Sequence, residues 1–271
     1  RAAATMQAAL EAWDAVAADL TAQYDGLNKG TETEAIAFNQ ADALSPLPRA
    51  WQWLDGSAFE SHGDLMDIVF GMNKKEKAVK PLMYQGVSDR FHAPTADVPF
   101  PSTEDGIDFE GEFGVIVSKT PMGTSAKDAT DYIRLIVQVN DWSLRKLAPV
   151  EMKTGFGWIQ AKPPCSMAPV AVTPDEIGPA WREGRIDRPL LCRINQQPLQ
   201  HGAVAGPADA QASIAQAAGP YPVEAGTIIA WSAPLPQVQS LRFGDTVRVE
   251  MKDAAGHSIF GAIEQEILPL G

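Results

Sequence analysis

Three carboxylates on alternate positions, Asp108, Glu110 and Glu112, stand in the run Asp105-Gly-Ile-Asp-Phe-Glu-Gly-Glu-Phe-Gly-Val-Ile-Val117. With a period of two, Ile107, Phe109, Phe113, Val115 and Val117 share one face and the acids share the other, as a strand with one buried side requires. Like charges on one strand face repel, and Asp and Glu are poor strand formers, so the repulsion needs an offset. Exposure of the polar face to water is one solution. A hard divalent cation drawing carboxylate oxygens from Glu110 and Glu112 is the other. Two further acids are placed to converge with them. Asp141 closes the apolar, β-branched run that begins at Tyr132, and Asp55 precedes a short helix expected over Ser57 to Met66. His62 lies in that helix, followed by Asp64, and is a candidate base. Lys162, in Gln160-Ala-Lys-Pro-Pro-Cys165, sits in a segment stiffened by two prolines.

The elements that must position these groups read mainly as strands. Met6, Leu10, Trp13, Val16, Leu20 and Tyr24 recur at helical spacing, which predicts an amphipathic helix over residues 1–25 that ends at Asp25-Gly26. Residues 27–50 read as a linker, so the chain divides into an N-terminal helix and linker, 1–45, and a main domain, 46–271. Within that domain, residues 81–86, 132–141, 190–199, 227–231, 245–251 and 259–267 are strand-like. Residues 93–102 read as a Pro-rich loop, 72–77 as a solvated charge run, and 203–220 as an Ala- and Gln-rich helix. Many short strands with few crossover helices predict a β-rich α+β fold.

Composition removes several function classes. The 271 residues carry 34 acidic against 22 basic side chains, a net charge of −12, which argues against nucleic acid as a partner. No apolar run reaches membrane-spanning length, so no membrane partner is expected and the cytoplasm is the expected compartment. The two cysteines, Cys165 and Cys192, are expected reduced in a core. Phosphate-binding glycine loops, paired-cysteine zinc spacings and the Gly-x-Ser-x-Gly elbow are all missing from the sequence.

On these residues the chain resembles the fumarylacetoacetate hydrolase family. Asp108-Phe-Glu110-Gly-Glu112-Phe-Gly-Val-Ile-Val117 is similar to that family's Glu-x-Glu metal strand, and Asn140-Asp141-Trp-Ser-Leu-Arg145 to its Asn-Asp-x-Ser-Ala-Arg motif. Asp55 to His62 has the spacing of the family's Asp ligand and downstream His. Pro81-Leu-Met-Tyr84-Gln-Gly86 is similar to the segment carrying a substrate-contacting Tyr, and Lys162 to the active-site Lys. Phe243 through Glu266 resembles the closing hairpin. The resemblance covers roughly residues 45–271.

It implies a mixed, β-roll-like core, a homodimer, and Mg²⁺ or a similar ion (Mn²⁺ or Ca²⁺) held by Asp55, Glu110, Glu112 and Asp141. His62 would be the general base, with Glu60 or Asp64 as its orienting carboxylate, and Lys162 would stabilise developing negative charge. Asp108 reads as a structural acid. The implied activity is hydrolytic cleavage of a carbon–carbon bond in a β-diketone or acylpyruvate-type 2-oxo acid. Decarboxylation, hydration or isomerisation by the same metal–enolate chemistry, or altered turnover, are the alternatives. Two positions depart from the family. Trp231-Ser-Ala-Pro234 stands where a carboxylate-binding Thr is expected, and Ala148 where a Gln is expected, with Gln160 as candidate replacement beside Tyr84 in substrate binding.

Overall fold

The structure, a computed structural model, describes residues 2–57, 82–202, 210–232 and 240–271. His62, Glu60, Asp64, the helix expected at 57–66 and the charge run at 72–77 lie outside the described residues, apart from Ser57 itself.

The chain begins with two helices, α1 (Met6–Glu11) and α2 (Trp13–Lys29). Its first strands are β1 (Trp53–Ser57), β2 (Leu82–Gly86), β3 (Val98–Phe100), β4 (Ile107–Asp108) and β5 (Gly111–Val117). Next come β6 (Ile133–Asn140), β7 (Ser143–Leu144), β8 (Ser166–Met167), β9 (Trp181–Arg182) and β10 (Arg185–Ile186). The last are β11 (Leu190–Ile194), β12 (Gln200–Gly202), β13 (Ile228–Ser232), β14 (Thr246–Lys252) and β15 (Ser258–Pro269).

Two larger sheets organise the molecule. One is mixed, in the order β2-β1-β13-β5-β6-β8, with β1 and β13 parallel and the other pairs antiparallel. The other, β12-β11-β14-β15-β3, is antiparallel except for the edge pair β15–β3. The expected β-rich α+β fold with an N-terminal helical segment is what the chain adopts.

The first sheet buries both faces. Leu54, Phe113, Val115, Val117, Ile136, Ile229 and Trp231 join the larger core, shared with Val247, Val249 and Ile263 of the second sheet. The alternate residues, Trp53, Ile116, Leu135, Val137, Val139, Ile228 and Ala230, form a second cluster with Leu10 of α1. Every residue of β5 is therefore buried, which removes the water-facing alternative for Glu112.

Helix α1 opens on the side chain of Thr5, which accepts the N–H of Ala8, and packs Leu10 under the sheet. Burying a leucine is worth roughly 1.5–3 kcal/mol, which docks this short helix. Gln7 adds a bond from Nε2 to the carbonyl of Ala225 at 2.7 Å. The helical region differs from expectation at both ends of α2. It is broken from α1 at Ala12 (φ −116°, ψ 26°), and it runs past Gly26 to Lys29. An interior glycine costs a helix only about 1 kcal/mol relative to Ala, whereas termination is served by Gly30 at φ 68°, whose N–H meets the carbonyls of Gly26 and Leu27.

One strand is added and two readings change. Asp55 lies within a strand, β1, because Trp53 and Leu54 fill the two opposite cores. The Pro-rich loop carries β3, where Pro99 is tolerated because the strand is an edge. The acidic strand is interrupted at Phe109-Glu110 between β4 and β5. Both cysteines are free and buried, as expected. Among the described residues no helix is long and apolar enough to cross a membrane.

Candidate metal and active site

The second face of the first sheet carries the site. On β1, Asp55 follows Trp53 on that face, and its antiparallel neighbour is Tyr84 of β2. On β5, Glu112 follows Gly114 and Ile116. Asp141 continues the line Val137, Val139 just past β6. Between Asp55 and Glu112 run only small residues: Asp55 pairs with Ala230, which pairs with Gly114. A Cβ at Gly114 would lie 3.2 Å from Ala230 Cβ and 3.3 Å from Ile228 Cγ2 and Val137 Cγ2, so the strands here leave no room for a larger side chain. Glu110 reaches the same place because its main chain exchanges hydrogen bonds with Asp141: N–H to carbonyl at 3.1 Å one way and 2.9 Å the other.

Asp55, Glu110, Glu112 and Asp141 are all buried, and one oxygen from each lies within 4.8 Å of the others. Two unit charges 4.8 Å apart in an effective dielectric of ~20 repel by about 3 kcal/mol, so four carboxylates cannot stay ionised here without counter-charge. Lys162 supplies one cation, its Nζ 3.0 Å from Glu110 Oε1 and 2.8 Å from Asp141 Oδ2. Arg145 supplies a second, bridging Asp108 Oδ2 at 2.7 Å and Glu110 Oε1 at 2.5 Å. Asp108 thus holds the arginine and stays outside the cluster. Neutral donors complete the shell: Tyr84 Oη to Asp141 Oδ2 at 2.6 Å, Ser143 Oγ to Glu110 Oε1 at 3.0 Å, and Cys165 Sγ to Asp141 Oδ1 at 3.1 Å.

Proton affinities follow from this crowding. Burial, then the charge of Asp141, pushes Asp55 well above the usual carboxylate range, against the pull of Lys162. Burial, then Asp55 and Asp141, does the same to Glu112. Burial alone would discharge Lys162, but Asp141, Glu110 and Asp55 outweigh it and hold the ammonium firmly charged. Burial, then the charges of Asp141 and Asp55, pushes the Tyr84 hydroxyl upward, and burial, then Asp141 and Glu112, does the same to the Cys165 thiol, so both stay protonated donors.

A divalent cation fits this set. With Asp108, which shares Arg145, five carboxylates face two side-chain cations, so the ionised set is negative in excess, and Asp55 Oδ1 is buried with no hydrogen-bond partner. Hard oxygen donors suit Mg²⁺, Mn²⁺ or Ca²⁺.

Of the residues singled out in the sequence, the fold brings together Asp55, Tyr84, Glu110, Glu112, Asp141 and Lys162. It does not bring Gln160 with them. That side chain is exposed, and its backbone N–H is bound to Glu151 at 3.0 Å. Sequence reasoning passed over the roles of Arg145, Cys165 and Trp158. Trp158 stands edge-on to Tyr84 with ring centres 4.6 Å apart, and Lys162 Nζ lies 5.9 Å from its ring centre. The Asn-Asp motif already contained Arg145; nothing periodic marks Trp158.

Residues 52–268 match the family model described as Fumarylacetoacetate (FAA) hydrolase C-terminal, and residues 1–49 match Fumarylacetoacetase N-terminal domain 2. The chain belongs to the fumarylacetoacetate hydrolase family. Among curated proteins, a 2,4-didehydro-3-deoxy-L-rhamnonate hydrolase from Sphingomonas sp. (strain SKA58) is 27% identical over 122 residues, 41% of this chain and 42% of that protein. The match thus spans less than half the length of that relative. Among solved structures, maleylpyruvate hydrolase from Sphingobium sp. SYK-6, in complex with manganese(II) ion and pyruvate, superposes with a TM-score of 0.70. The identity is 16%, over 98% of this chain and 86% of that one. A 5-carboxymethyl-2-hydroxymuconate delta-isomerase from Mycobacterium smegmatis gives 0.58 at 17% identity, over 84% and 82%. At these identities the structural likeness is one of fold.

Proposed function

We propose that this fumarylacetoacetate hydrolase family member is a metal-dependent enzyme that hydrolyses a carbon–carbon bond in a β-diketone or acylpyruvate-type 2-oxo acid. The observation that carries the reading is the convergence of four buried carboxylates on one space beside a buried ammonium. Asp55, Glu110, Glu112 and Asp141 would be the ligands and Mg²⁺ the ion, with Mn²⁺ or Ca²⁺ as substitutes; the manganese in the maleylpyruvate hydrolase structure supports a divalent ion. Such an ion supplies Lewis acidity and a template for two substrate oxygens.

The chain's own groups do the rest. His62 takes a proton from water, whose oxygen adds to the substrate carbonyl carbon. As the carbon–carbon bond breaks, its electron pair stays with the departing fragment, and Lys162 stabilises that negative charge with a preset ammonium. Tyr84 contacts the substrate from within the cluster, and Gln160 from the exposed edge of its loop. Protonation of the departing carbon and release of a carboxylate complete the balance.

Solvent-oxygen labelling tests the reaction class: with ¹⁸O-water a hydrolase places the label in the new carboxylate. Substrate consumption without label in any product would favour isomerisation, which neighbours named as isomerases keep in view. We further read the protein as a cytoplasmic homodimer without nucleic-acid or membrane partners. Exposed Tyr24, Leu27, Ile36, Phe38 and Leu44 support the dimer, and light scattering at micromolar concentration tests it.

A further inference from the structure

In the stretch between Arg145 and Lys162 one acid gathers three successive amides. Glu151, on the short helix Ala148–Met152, accepts the backbone N–H of Ile159 at 3.3 and 3.2 Å, of Gln160 at 3.0 and 3.2 Å, and of Ala161 at 2.9 Å. Three successive amides aimed at one carboxylate form an anion nest, and bonds to an ionised acceptor are stronger than neutral ones. The loop they close has Gly155-Phe-Gly157 at its tip, with φ of 74° and 91° at the two glycines. Phe156 is 94% exposed and Ile159 79%, so burial of its own apolar side chains does not hold this loop in place. Its base is held by the three amide bonds to Glu151, together with the Leu144 N–H bonded to the Ala161 carbonyl at 2.8 Å.

What flanks the nest is the site. Immediately before it, Trp158 donates its indole N–H to the carbonyl of Ala148 at 3.1 Å and meets the Tyr84 ring. Immediately after it, Lys162 enters the carboxylate cluster, Nζ 5.5 Å from the Tyr84 ring centre. A lysine side chain has many rotamers, so its aim depends on how well its backbone is fixed. Pro163 and Pro164 fix the chain on one side of Lys162, and the Glu151 nest fixes it on the other.

We propose that Glu151 is a positioning residue for the site: by gathering the amides of Ile159, Gln160 and Ala161 it holds Lys162 and Trp158 in place around Tyr84. Its role in substrate binding rests on the metal-dependent reading above; its role as a brace does not.

Amide hydrogen exchange on the wild-type protein tests the brace. The amides of Ile159, Gln160 and Ala161 should exchange about tenfold or more slowly than that of Gly157, and E151A should erase the difference. Equal exchange in the wild type overturns the proposal. The second measurement uses the Mn²⁺-loaded protein with oxalate as probe. E151A should bind Mn²⁺ within about threefold of wild type but oxalate about tenfold more weakly, a loss near 1.4 kcal/mol. Trp158 emission, assigned by difference from W158F, should shift to the red. A purely structural Glu151 would lower the melting temperature without separating the two affinities, so unchanged oxalate affinity with unchanged emission overturns the proposal. If wild type binds no Mn²⁺, the metal reading fails while the exchange measurement still decides the brace. E151Q serves where E151A does not fold.

Discussion

Tyr84 donates its hydroxyl to Asp141 Oδ2 at 2.6 Å, joining the edge strand β2 to the end of β6 across 57 positions of sequence. Asp141 is buried and Tyr84 half-buried; the carboxylate acceptor makes the bond charge-assisted, and its loss leaves a carboxylate oxygen short of a donor. Tyr84→Phe should cost about 1.5–3 kcal/mol in urea denaturation of the metal-free protein. Stability unchanged within error would mean that the pair does not form in solution.

For Glu112→Ala the expectation is different in sign. Removing one of four crowded carboxylates relieves repulsion, so the metal-free protein should melt no lower than wild type. The increase in melting temperature on adding Mg²⁺ or Mn²⁺ should disappear. A shift equal to that of wild type would remove Glu112 from the ligand set.

Lys162→Met should be the most damaging substitution at the site. Glu110 would keep Arg145 as a cationic neighbour while Asp141 loses its ammonium, and stripping one partner from a buried ion pair costs about 3–5 kcal/mol. Because a divalent ion offsets the same charge, the deficit should shrink when metal is added. Denaturation curves with and without metal read both effects.

His62→Ala separates base from ligand. Metal-dependent thermal stabilisation should persist, and incorporation of solvent oxygen into product should fall by about two orders of magnitude or more, the usual contribution of a positioned general base. Full turnover in this variant would take His62 out of the reaction.

The Glu151 nest gives a pH dependence with a definite direction. Desolvation raises the proton affinity of Glu151, but the amides of Gln160, Ala161 and Ile159 outweigh it and hold the carboxyl below its ordinary range. No charged side chain is among the causes. A depressed folded value means that the nest's contribution to stability is complete above the unfolded value of about 4.3 and is lost as pH falls through the lower folded value. The Trp158 emission should therefore stay constant through the ordinary glutamate range and shift only below it. A transition centred at the ordinary value would show that the nest is not formed.

What could be seen in the sequence follows from how local each signal was. Glu110 and Glu112 share a parity, and Asp141 closes an apolar run, so strand geometry marked these acids as candidates, but their spacing could not bring them together. The order of short motifs from Asp55 to Lys162 then made the family legible. The far side of the sheet was not. That the face opposite Phe113 is covered by Leu10 of α1 depends on a contact between distant segments, and no period in β5 encodes it. That Asp55 itself lies in a strand was not visible, because five residues of strand carry too little pattern to be distinguished; the helix expected after it lies outside the described residues. Arg145 sits in a visible motif, yet its bridge between Asp108 and Glu110 needs the β4–β7 pairing to exist first. Glu151, Trp158 and Gln160 belong to a loop, where direction is set by hydrogen bonds between residues several positions apart. Gln160, a candidate for substrate binding by sequence, has its side chain exposed in the fold.

The reciprocal main-chain bonds between Glu110 and Asp141 have an implication for how this centre could be altered. Backbone bonds are indifferent to side-chain identity, so the spacing of these two stations survives exchange of either acid for another donor. A histidine introduced at one of them would inherit a ready-made address and require no remodelling of the sheet. The choice of ion can thus drift, or be engineered, one side chain at a time on a frame that stays put.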